Sequence, residues 1–310
     1  MVISVIDLGT NTCNLLIAEI ASEGKVGHIF YQGSEAVRIG EGGINKGILT
    51  KGAFKRAETA LLNHIERIKK YSSEEIFAYA TSAVRDASNR NEFYKYIKEK
   101  TGISLQIISG EREAELIFKG VNFAFGKIPD NSLILDIGGG SNEYIFTFGN
   151  QILWKESFPL GMSRVLQKFD ISDPITKDEI AEIKEFFLIG HKDLFDNLKW
   201  KPVNQLIGCS GAFDTIADLK DGVSAGSVYR ITEEIFLSEF VIIYKRIIES
   251  TISQRKKMIE MSPFREKMII PSIILMKFIL ESFHIKRIIH TGFSLREGVW
   301  EELTKRKENV

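Results

Sequence analysis

The chain has 310 residues, and its 41 Lys and Arg balance 41 Asp and Glu, so the formal net charge is zero. That balance argues against a broad basic surface for duplex nucleic acid, although a local positive groove for an anionic ligand is compatible with it. With 44% hydrophobic residues, 26% charged residues and only six prolines, the composition predicts an ordinary globular protein and excludes a disordered chain.

Strand and helix patterns alternate through the first half of the sequence. Predicted strands cover residues 2–7, 14–20, 28–37, 76–80 and 104–108, and predicted helices cover residues 50–71, 91–100 and 110–121. The longest helix repeats apolar residues such as Phe54, Ala57 and Leu61 along one face, and we expect Thr50 to be its N-cap. This alternation predicts an α/β layered fold whose ligand loops gather at strand ends.

After Pro129 the pattern begins again. Predicted strands cover residues 133–136, 143–148, 204–207 and 287–290, and predicted helices cover residues 177–198, 212–219, 232–250, 267–283 and 295–306. The segment 136–141 repeats the arrangement of the segment 7–12, with the two aspartates 129 positions apart. Both segments follow an apolar strand and precede a returning strand. We therefore predict two related halves with a boundary near residues 125–131.

Each repeated segment has an aspartate at a strand end and glycine and hydroxyl residues in the following turn. Backbone N–H groups and hydroxyls around such a turn suit phosphate oxygens. The candidate phosphate-binding residues are Gly9, Thr10, Asn11 and Thr12 in the first loop and Gly138, Gly139, Gly140 and Ser141 in the second. Asp7 and Asp136 cannot bind phosphate directly, and we expect them to hold Mg²⁺, usually through water. One loop alone could be an ordinary hairpin turn, but two matching loops favour phosphate binding.

Other phosphate and metal motifs do not fit. Glu143 stands where the dinucleotide fingerprint needs its third glycine, and a strand rather than a helix is predicted to follow. There is no Walker A sequence, and the five histidines lack zinc-ligand spacing. Rossmann, P-loop and zinc interpretations are therefore not supported.

Two further segments follow predicted strands in the first half. Thr81, Ser82 and Arg85 lie at a strand end where an arginine can grip phosphate bidentately, or Arg85 forms a surface ion pair with a nearby acid. Glu113 falls three residues after Gly110, and its spacing alone favours a helix-capping role.

A third segment lies in the second half. Gly208, Ser210 and Gly211 join a strand to a helix, which is either an anion-binding turn or a plain connector. Cys13 and Cys209 make no disulfide framework, and for both a buried thiol is favoured over a redox switch.

The sequence resembles the exopolyphosphatase and guanosine pentaphosphate phosphohydrolase (Ppx/GppA) family of the actin-like ATPase superfamily over nearly its whole length. Six ordered motifs carry the resemblance: residues 7–12, 80–87, 108–114, 136–143, 208–211 and 291–298. Ala212, Lys267 and Pro271 depart from residues that are common in the family, which bears on nucleotide contacts more than on hydrolysis.

The resemblance implies an α/β fold with two ribonuclease-H-like domains flanking a cleft. The expected domains are residues 1–125 and 126–294, with a terminal helix 295–310 that packs back on the first domain. It also implies Mg²⁺-dependent hydrolysis of terminal phosphoanhydrides, with Glu113 as the catalytic base and Arg85 as a phosphate clamp. The chain is similar to the short, two-domain form of the family.

The function expected from this resemblance is an exopolyphosphatase that releases orthophosphate from the end of inorganic polyphosphate. Two alternatives stay open: a guanosine pentaphosphate 5′-phosphohydrolase, and a non-catalytic sensor of polyphosphate or alarmones. A homodimer is a further open alternative. No apolar run reaches the roughly 20 residues that span a bilayer and no leader pattern begins the chain, so we expect no membrane partner and a cytoplasmic location.

Overall fold

The computed structural model of the protein describes residues 1–20 and 27–308. These residues form two compact units. Unit 1 comprises Met1–Phe123, Gly138–Gly140 and Ser294–Val310, and unit 2 comprises Ala124–Ile137 and Ser141–Phe293. The last two residues of the predicted terminal helix 295–310 lie outside the described residues. No helix in the described ranges is both long enough and apolar enough to span a membrane.

Unit 1 is built on a mixed sheet. Its strands are β1 (Val2–Leu8), β2 (Thr12–Glu19), β3 (Ile29–Ala36), β4 (Glu75–Ala80) and β5 (Leu105–Ile107), in the spatial order β3-β2-β1-β4-β5. The first three strands form an antiparallel meander, whereas β4 and β5 run parallel to β1. The carboxyl ends of β1, β4 and β5 therefore meet at one edge of the sheet, which is where α/β proteins bind ligands.

Five helices cover this sheet. They are α1 (Lys51–Lys69), α2 (Ser82–Arg85), α3 (Arg90–Thr101), α4 (Gly110–Phe125) and α12 (Leu295–Glu308), numbered in chain order with those of unit 2 below. The predicted cap of α1 is confirmed, because Thr50 Oγ1 accepts the N–H of Ala53 over 3.2 Å. Leu15 and Ile17 of β2 and Ala57 of α1 are fully buried in one apolar core. Burying one such side chain stabilises the fold by about 1.5–3 kcal/mol.

Helices α4 and α12 cross backbone to backbone at two glycines. A Cβ on Gly298 would lie 1.8 Å from the carbonyl oxygen of Leu116, and a Cβ on Gly120 would lie 2.0 Å from that of Ser294. Trp300 is buried beside this crossing and donates its indole N–H to the carbonyl of Glu19 over 2.9 Å. The terminal helix is thus an integral layer of unit 1.

Unit 2 repeats the same topology with one added strand. Its strands are β6 (Ser132–Ile137), β7 (Asn142–Phe148), β8 (Gln151–Phe158), β9 (Gln205–Cys209), β10 (Thr232–Ile235) and β11 (Arg287–Thr291). The spatial order is β10-β11-β9-β6-β7-β8, so β8, β7, β6, β9 and β11 correspond to β3, β2, β1, β4 and β5. The fold class predicted from the sequence, α/β with two ribonuclease-H-like units, is confirmed.

The helices of unit 2 enclose the larger apolar core. They are α5 (Met162–Lys168), α6 (Lys177–Gly190), α7 (Lys192–Leu198), α8 (Gly211–Asp221), α9 (Leu237–Ile248), α10 (Ile252–Arg255) and α11 (Arg265–Ser282). Ile273, Ile274 and Leu275 of α11 are fully buried, which accounts for a helix that is apolar on several sides.

Two predicted helices of unit 2 differ from the observed elements. The predicted helix 177–198 is two helices that meet at His191, whose buried ring packs against the rings of Tyr144 and Phe158. The predicted helix 232–250 begins instead with β10, because residues 232–235 pair with β11. Arg287 on β11 binds Glu234 on β10 through two hydrogen bonds. Both differences arise from contacts distant in the sequence.

Candidate active site

The first predicted phosphate loop is the turn between β1 and β2. The N–H of Gly9 donates to the carbonyl of Thr12 over 2.9 Å, and the carbonyl of Asn11 accepts two N–H groups from the residues after β3. Asp7 ends the strand beside Asn14, whose amide donates to Asp7 Oδ2 over 3.1 Å. These bonds hold the turn in one conformation before any ligand binds, as an electrostatic site requires.

The second predicted segment lies directly beside this loop. The N–H of Thr81 donates to the carbonyl of Leu8 over 3.3 Å, which places the end of β4 against the end of β1. Helix α2 then makes a single turn, in which the carbonyl of Thr81 accepts the N–H of Arg85 over 2.9 Å. Thr81 and Ser82 are buried, and Ser82 Oγ donates to Asp86 Oδ2 over 3.2 Å.

Arg85 and Glu113 form a close ion pair. Arg85 Nη1 lies 2.6 Å from Glu113 Oε2, and the two side chains are 18% and 10% exposed. Arg85 also donates to the carbonyl of Ile108 over 3.3 Å and lies 3.5 Å from Asp86 Oδ1. The helix-capping oxygen seen at the start of α4 is Ser109 Oγ, which accepts the N–H of Arg112 over 3.1 Å. The Glu113 carboxylate is therefore turned toward Arg85, at the ligand edge of the sheet.

The glycines of the second predicted loop belong to unit 1. Gly138–Gly140 group with its residues, and a Cβ on Gly139 would lie 2.2 Å from Asn11 Nδ2. A Cβ on Gly140 would lie 2.6 Å from both Thr10 Oγ1 and Ser82 Oγ. No larger residue fits at either position without displacing these polar groups. Unit 1 thus brings together two predicted loops and the hydroxyl of Ser82 in one place.

In unit 2 a row of polar side chains crosses four strands. The register pairs Cys209 of β9 with Asp136 of β6, Asp136 with Glu143 of β7, and Glu143 with Ser157 of β8. Cys209 Sγ lies 3.7 Å from Asp136 Oδ2, and Ser157 Oγ donates to Glu143 Oε1 over 2.7 Å. Directly opposed residues on antiparallel strands carry their side chains on one face, so the two carboxylates are neighbours. Ser141, the last residue of the second loop, is buried just before β7.

The same row exists in unit 1 with different side chains. There the register pairs Tyr79 with Asp7, Asp7 with Asn14, and Asn14 with Ser34. Asp7 and Asp136 therefore occupy equivalent positions in the two sheets. The partner of Asp7 is an amide, whereas the partner of Asp136 is a second carboxylate, Glu143. In the sequence Glu143 stands out only as a misfit to the dinucleotide fingerprint, although its place seven residues after Asp136 matches that of Asn14 after Asp7.

Gly208, Ser210 and Gly211 form the connection from β9 to α8. Ser210 has φ +72°, a strained conformation for a residue with a side chain, and its Oγ donates to the carbonyl of Ile137 over 3.3 Å. A Cβ on Gly208 would lie 2.0 Å from the ring of Phe213. Gly211 is the first residue of α8. The first N–H groups of that helix, which have no acceptor within the helix, therefore lie at this connection.

Arg265 is a charged residue at this connection that sequence analysis missed. A Cβ on Gly211 would lie 1.5 Å from Arg265 Nη2, so the guanidinium rests on the glycine. It makes no hydrogen bond or ion pair with any residue in the described ranges. Burial lowers the pKa of Arg265, and the charges of Asp214 and Asp136 oppose that effect. A guanidinium with unused donors beside a helix N-terminus can bind an anion.

Both cysteines are buried thiols. Cys13 and Cys209 are fully buried and free of disulfides. Burial raises the pKa of Cys13 well above its usual range, with the charges of Asp7 and Glu35 adding to the effect. A thiol that stays protonated is a poor nucleophile, so the structure gives Cys13 a packing role.

Two mixed sheets of the same topology, each with a strand-end aspartate followed by a tight turn, place the protein in the ribonuclease-H-like class. Comparison with known proteins makes this specific. Residues 16–307 match the Ppx/GppA phosphatase family, and the chain belongs to that family.

The most similar curated relatives include two from different organisms. The bifunctional 3-dehydroquinate synthase/phosphatase of Fusobacterium nucleatum is 33% identical over 90% of this chain, which spans 43% of that longer protein. Exopolyphosphatase 2 of Mycobacterium tuberculosis is 26% identical over 86% of each chain.

Solved structures agree with the fold over the whole chain. An exopolyphosphatase from Cytophaga hutchinsonii has a TM-score of 0.93 at 33% identity and covers 99% of this chain and 98% of its own. A Ppx/GppA family member from Aquifex aeolicus has a TM-score of 0.80 at 25% identity, with 99% and 98% covered.

Proposed function

We propose that this protein is a phosphoanhydride hydrolase that releases orthophosphate from the end of inorganic polyphosphate. Family membership and similarity to proteins named exopolyphosphatases support the proposal. The structural observation that carries it is the pair of Arg85 and Glu113 beside a turn built from glycines and hydroxyls. In this proposal Glu113 is the general base, Arg85 binds the phosphoryl group, and the turn surrounds the phosphate. Phosphoryl transfer to water needs these three roles.

Glu113 is proposed as the general base that orients the attacking water and accepts its proton. The carboxylate is nearly buried and fixed by Arg85, so its position is set before substrate binds. The guanidinium of Arg85 is proposed to bind a phosphoryl oxygen, and its positive charge would offset the charge that builds up there. Positioning and charge neutralisation supply most of the rate in such reactions.

The phosphate-binding role proposed for the loops follows from their donors. Thr10, Asn11 and Ser82 lie around Gly139 and Gly140, so hydroxyl, amide and backbone N–H groups surround one small volume of unit 1. In unit 2, Gly211 and Arg265 offer a second set of anion donors. We propose that both sets bind phosphate units of the substrate.

Mg²⁺ is proposed as the cofactor, with Asp7 and Asp136 as its protein ligands. The donors fit this ion, because Asp136 and Glu143 are opposed carboxylates and Asp7 is a strand-end carboxylate that the amide of Asn14 holds in place. Among the described residues, no group of three or more His, Cys, Asp or Glu forms a cage, and magnesium sites commonly use one or two carboxylates. When bound, Mg²⁺ would neutralise phosphate charge.

The preference for polyphosphate over guanosine pentaphosphate is part of the proposal. Guanosine pentaphosphate carries the same terminal phosphoanhydride, and no residue of the described site is a clear guanine-reading group.

A cytoplasmic location is proposed because both cysteines are free thiols, and a reducing compartment keeps thiols in that state. A homodimer remains a prediction from the sequence.

The test is phosphate release by the purified protein, offered polyphosphate, guanosine pentaphosphate and ATP in separate assays with and without Mg²⁺. We expect Mg²⁺-dependent release from polyphosphate, and little release from the Glu113→Gln variant. Glu111→Gln is the matched control, because Glu111 lies in the same first turn of α4 but is exposed. Activity on guanosine pentaphosphate alone would overturn the substrate assignment, and binding of polyphosphate without release would favour a sensor.

A further inference from the structure

A cavity of about 300 Å³ lies in unit 1 against helix α12, and no residue of the glycine loops lines it. Its lining residues are Phe77, Tyr79, Gln106, Ile108, Arg112, Val299, Glu302, Leu303 and Arg306. The α12 residues are spaced i, i+3, i+4 and i+7, so they form one face of that helix. Tyr79 and Gln106 are register partners on β4 and β5, and both lie opposite this helix face.

The walls of the cavity combine an apolar body with a few polar groups. Phe77, Tyr79, Ile108, Val299 and Leu303 supply aromatic and aliphatic surface. Gln106, Arg112, Glu302 and Arg306 supply a comparable polar share. Small-molecule sites have volumes that begin near 300 Å³. Size and lining therefore suit a ligand with one ring system rather than a chain or a second protein.

Positive charge exceeds negative charge at the rim. Glu302 accepts two hydrogen bonds from Arg112 Nη2, at 2.8 and 2.7 Å, and one from Arg306 Nη2 at 2.7 Å, and it also pairs with Lys119. Burial raises the pKa of Glu302, but its bonds to Lys119 and Arg112 outweigh burial and hold that pKa at about 2. One carboxylate thus holds three cations, and within the described part of the chain only Arg112 has a second acidic partner, Glu115.

Two polar groups in the cavity have no partner of their own. Tyr79 is 8% exposed, and its hydroxyl has no hydrogen bond to any residue within 1–20 and 27–308. Gln106 is an exposed residue, and its side-chain amide makes no hydrogen bond to another residue in the described ranges. Both groups therefore have hydrogen-bonding capacity that a ligand in the cavity can use.

We propose that this cavity binds a nucleoside monophosphate. The ring would lie against the aromatic and aliphatic walls, and the phosphate would bind Arg306 and Arg112 at the rim. The Tyr79 hydroxyl and the Gln106 amide, which offer both donors and acceptors, would bind the polar edge of the base or the ribose. Neither Glu113 nor the glycine loops line the cavity, so the proposal does not rest on the proposed hydrolysis.

The test is calorimetric titration of the full chain with AMP and GMP, with adenosine and inorganic phosphate as separate arms. We expect at least one nucleotide to bind ten times or more tightly than adenosine and than phosphate, because ring and phosphate contribute together. Equal binding of phosphate and nucleotide would overturn the proposal by showing general anion attraction. If neither AMP nor GMP binds with a Kd below about 10 mM, which corresponds to a few kcal/mol of binding free energy, the proposal is also overturned.

Two variants locate the binding. Leu303→Trp fills the cavity without changing charge, and Arg306→Gln removes a cation whose side chain is 70% exposed, so neither is expected to unfold the chain. We expect each to weaken nucleotide binding at least tenfold while phosphate release from polyphosphate is retained. Lys305→Gln is the control, because Lys305 pairs with Glu301 and does not line the cavity, and it should bind as the native chain does. Unchanged nucleotide binding in both Leu303→Trp and Arg306→Gln would refute the site.

Discussion

Replacing Glu113 with glutamine separates a catalytic role from a structural one. The amide keeps the shape of the side chain and can still accept a hydrogen bond from Arg85 Nη1, which lies 2.6 Å away. It removes only the negative charge and the ability to take a proton from water. Loss of a general base costs about 10²- to 10⁴-fold in turnover. We therefore expect kcat for phosphate release to fall at least about 100-fold.

The structural effect of the same change is smaller and is measured separately. A hydrogen bond to a charged partner contributes about 1.5–3 kcal/mol to stability, and the variant loses only the part that comes from charge. We expect a loss of about 1 kcal/mol, well below the roughly 2.7 kcal/mol of barrier that a 100-fold rate change represents.

The assay measures kcat and Tm on one preparation of native protein, Glu113→Gln and the control Glu111→Gln. The reasoning predicts a large fall in kcat with a small fall in Tm for Glu113→Gln alone. A variant that keeps more than about a third of native kcat while Tm drops would show that Glu113 only braces Arg85, and the general-base assignment would be refuted.

Three further perturbations test other parts of the structure. Gly140→Ala places a methyl group 2.6 Å from two hydroxyls of the proposed cradle, so kcat/KM should fall at least about tenfold, and a native value would remove this loop from the site. Gly298→Ala forces a methyl group to within 1.8 Å of a carbonyl of α4, so the free energy of unfolding, measured in urea, should fall by about 3 kcal/mol. The control Gly52→Ala, on the exposed face of α1, should leave that free energy unchanged or raise it slightly. Burial lowers the pKa of His191 to about 4, against the bond to the Phe187 carbonyl, so the unfolded chain takes up its proton first as pH falls. Stability should then decline by about 3 kcal/mol between pH 6.5 and pH 4, and equal urea midpoints at pH 7 and pH 4.5 would contradict this.

Much of unit 1 could be predicted because its signals are local. Thr50 caps α1 through a bond to a residue three positions away, and the apolar face of that helix follows directly from its sequence. The turns after Asp7 and Asp136 were also recognisable, because a strand-end aspartate and its glycines are adjacent in the chain. Their functional roles stay predictions.

The elements that were missed depend on partners far away in the sequence. The apolar pattern runs on past His191, so the sequence gives no sign of the helix break there. The break is fixed by packing of the His191 ring against Tyr144 and Phe158. Strand β10 is short and acidic, so its pairing with β11 could not be read from its own residues. Arg265 has no local signal that distinguishes it from an ordinary solvated helix start, and only the fold places it on Gly211.

The return of α12 to unit 1 has a consequence for synthesis of the chain on the ribosome. Strands β1 and β2 emerge first, yet the helix that covers their face, with Trp300 bonded to the end of β2, is made after all of unit 2. At a translation rate of about 5–20 residues per second, the residues between the end of β2 and the start of α12 take roughly 15–55 seconds to make. During that interval the nascent sheet exposes apolar surface that later lies under α12, so the first part of the protein to be made is the last to be completed.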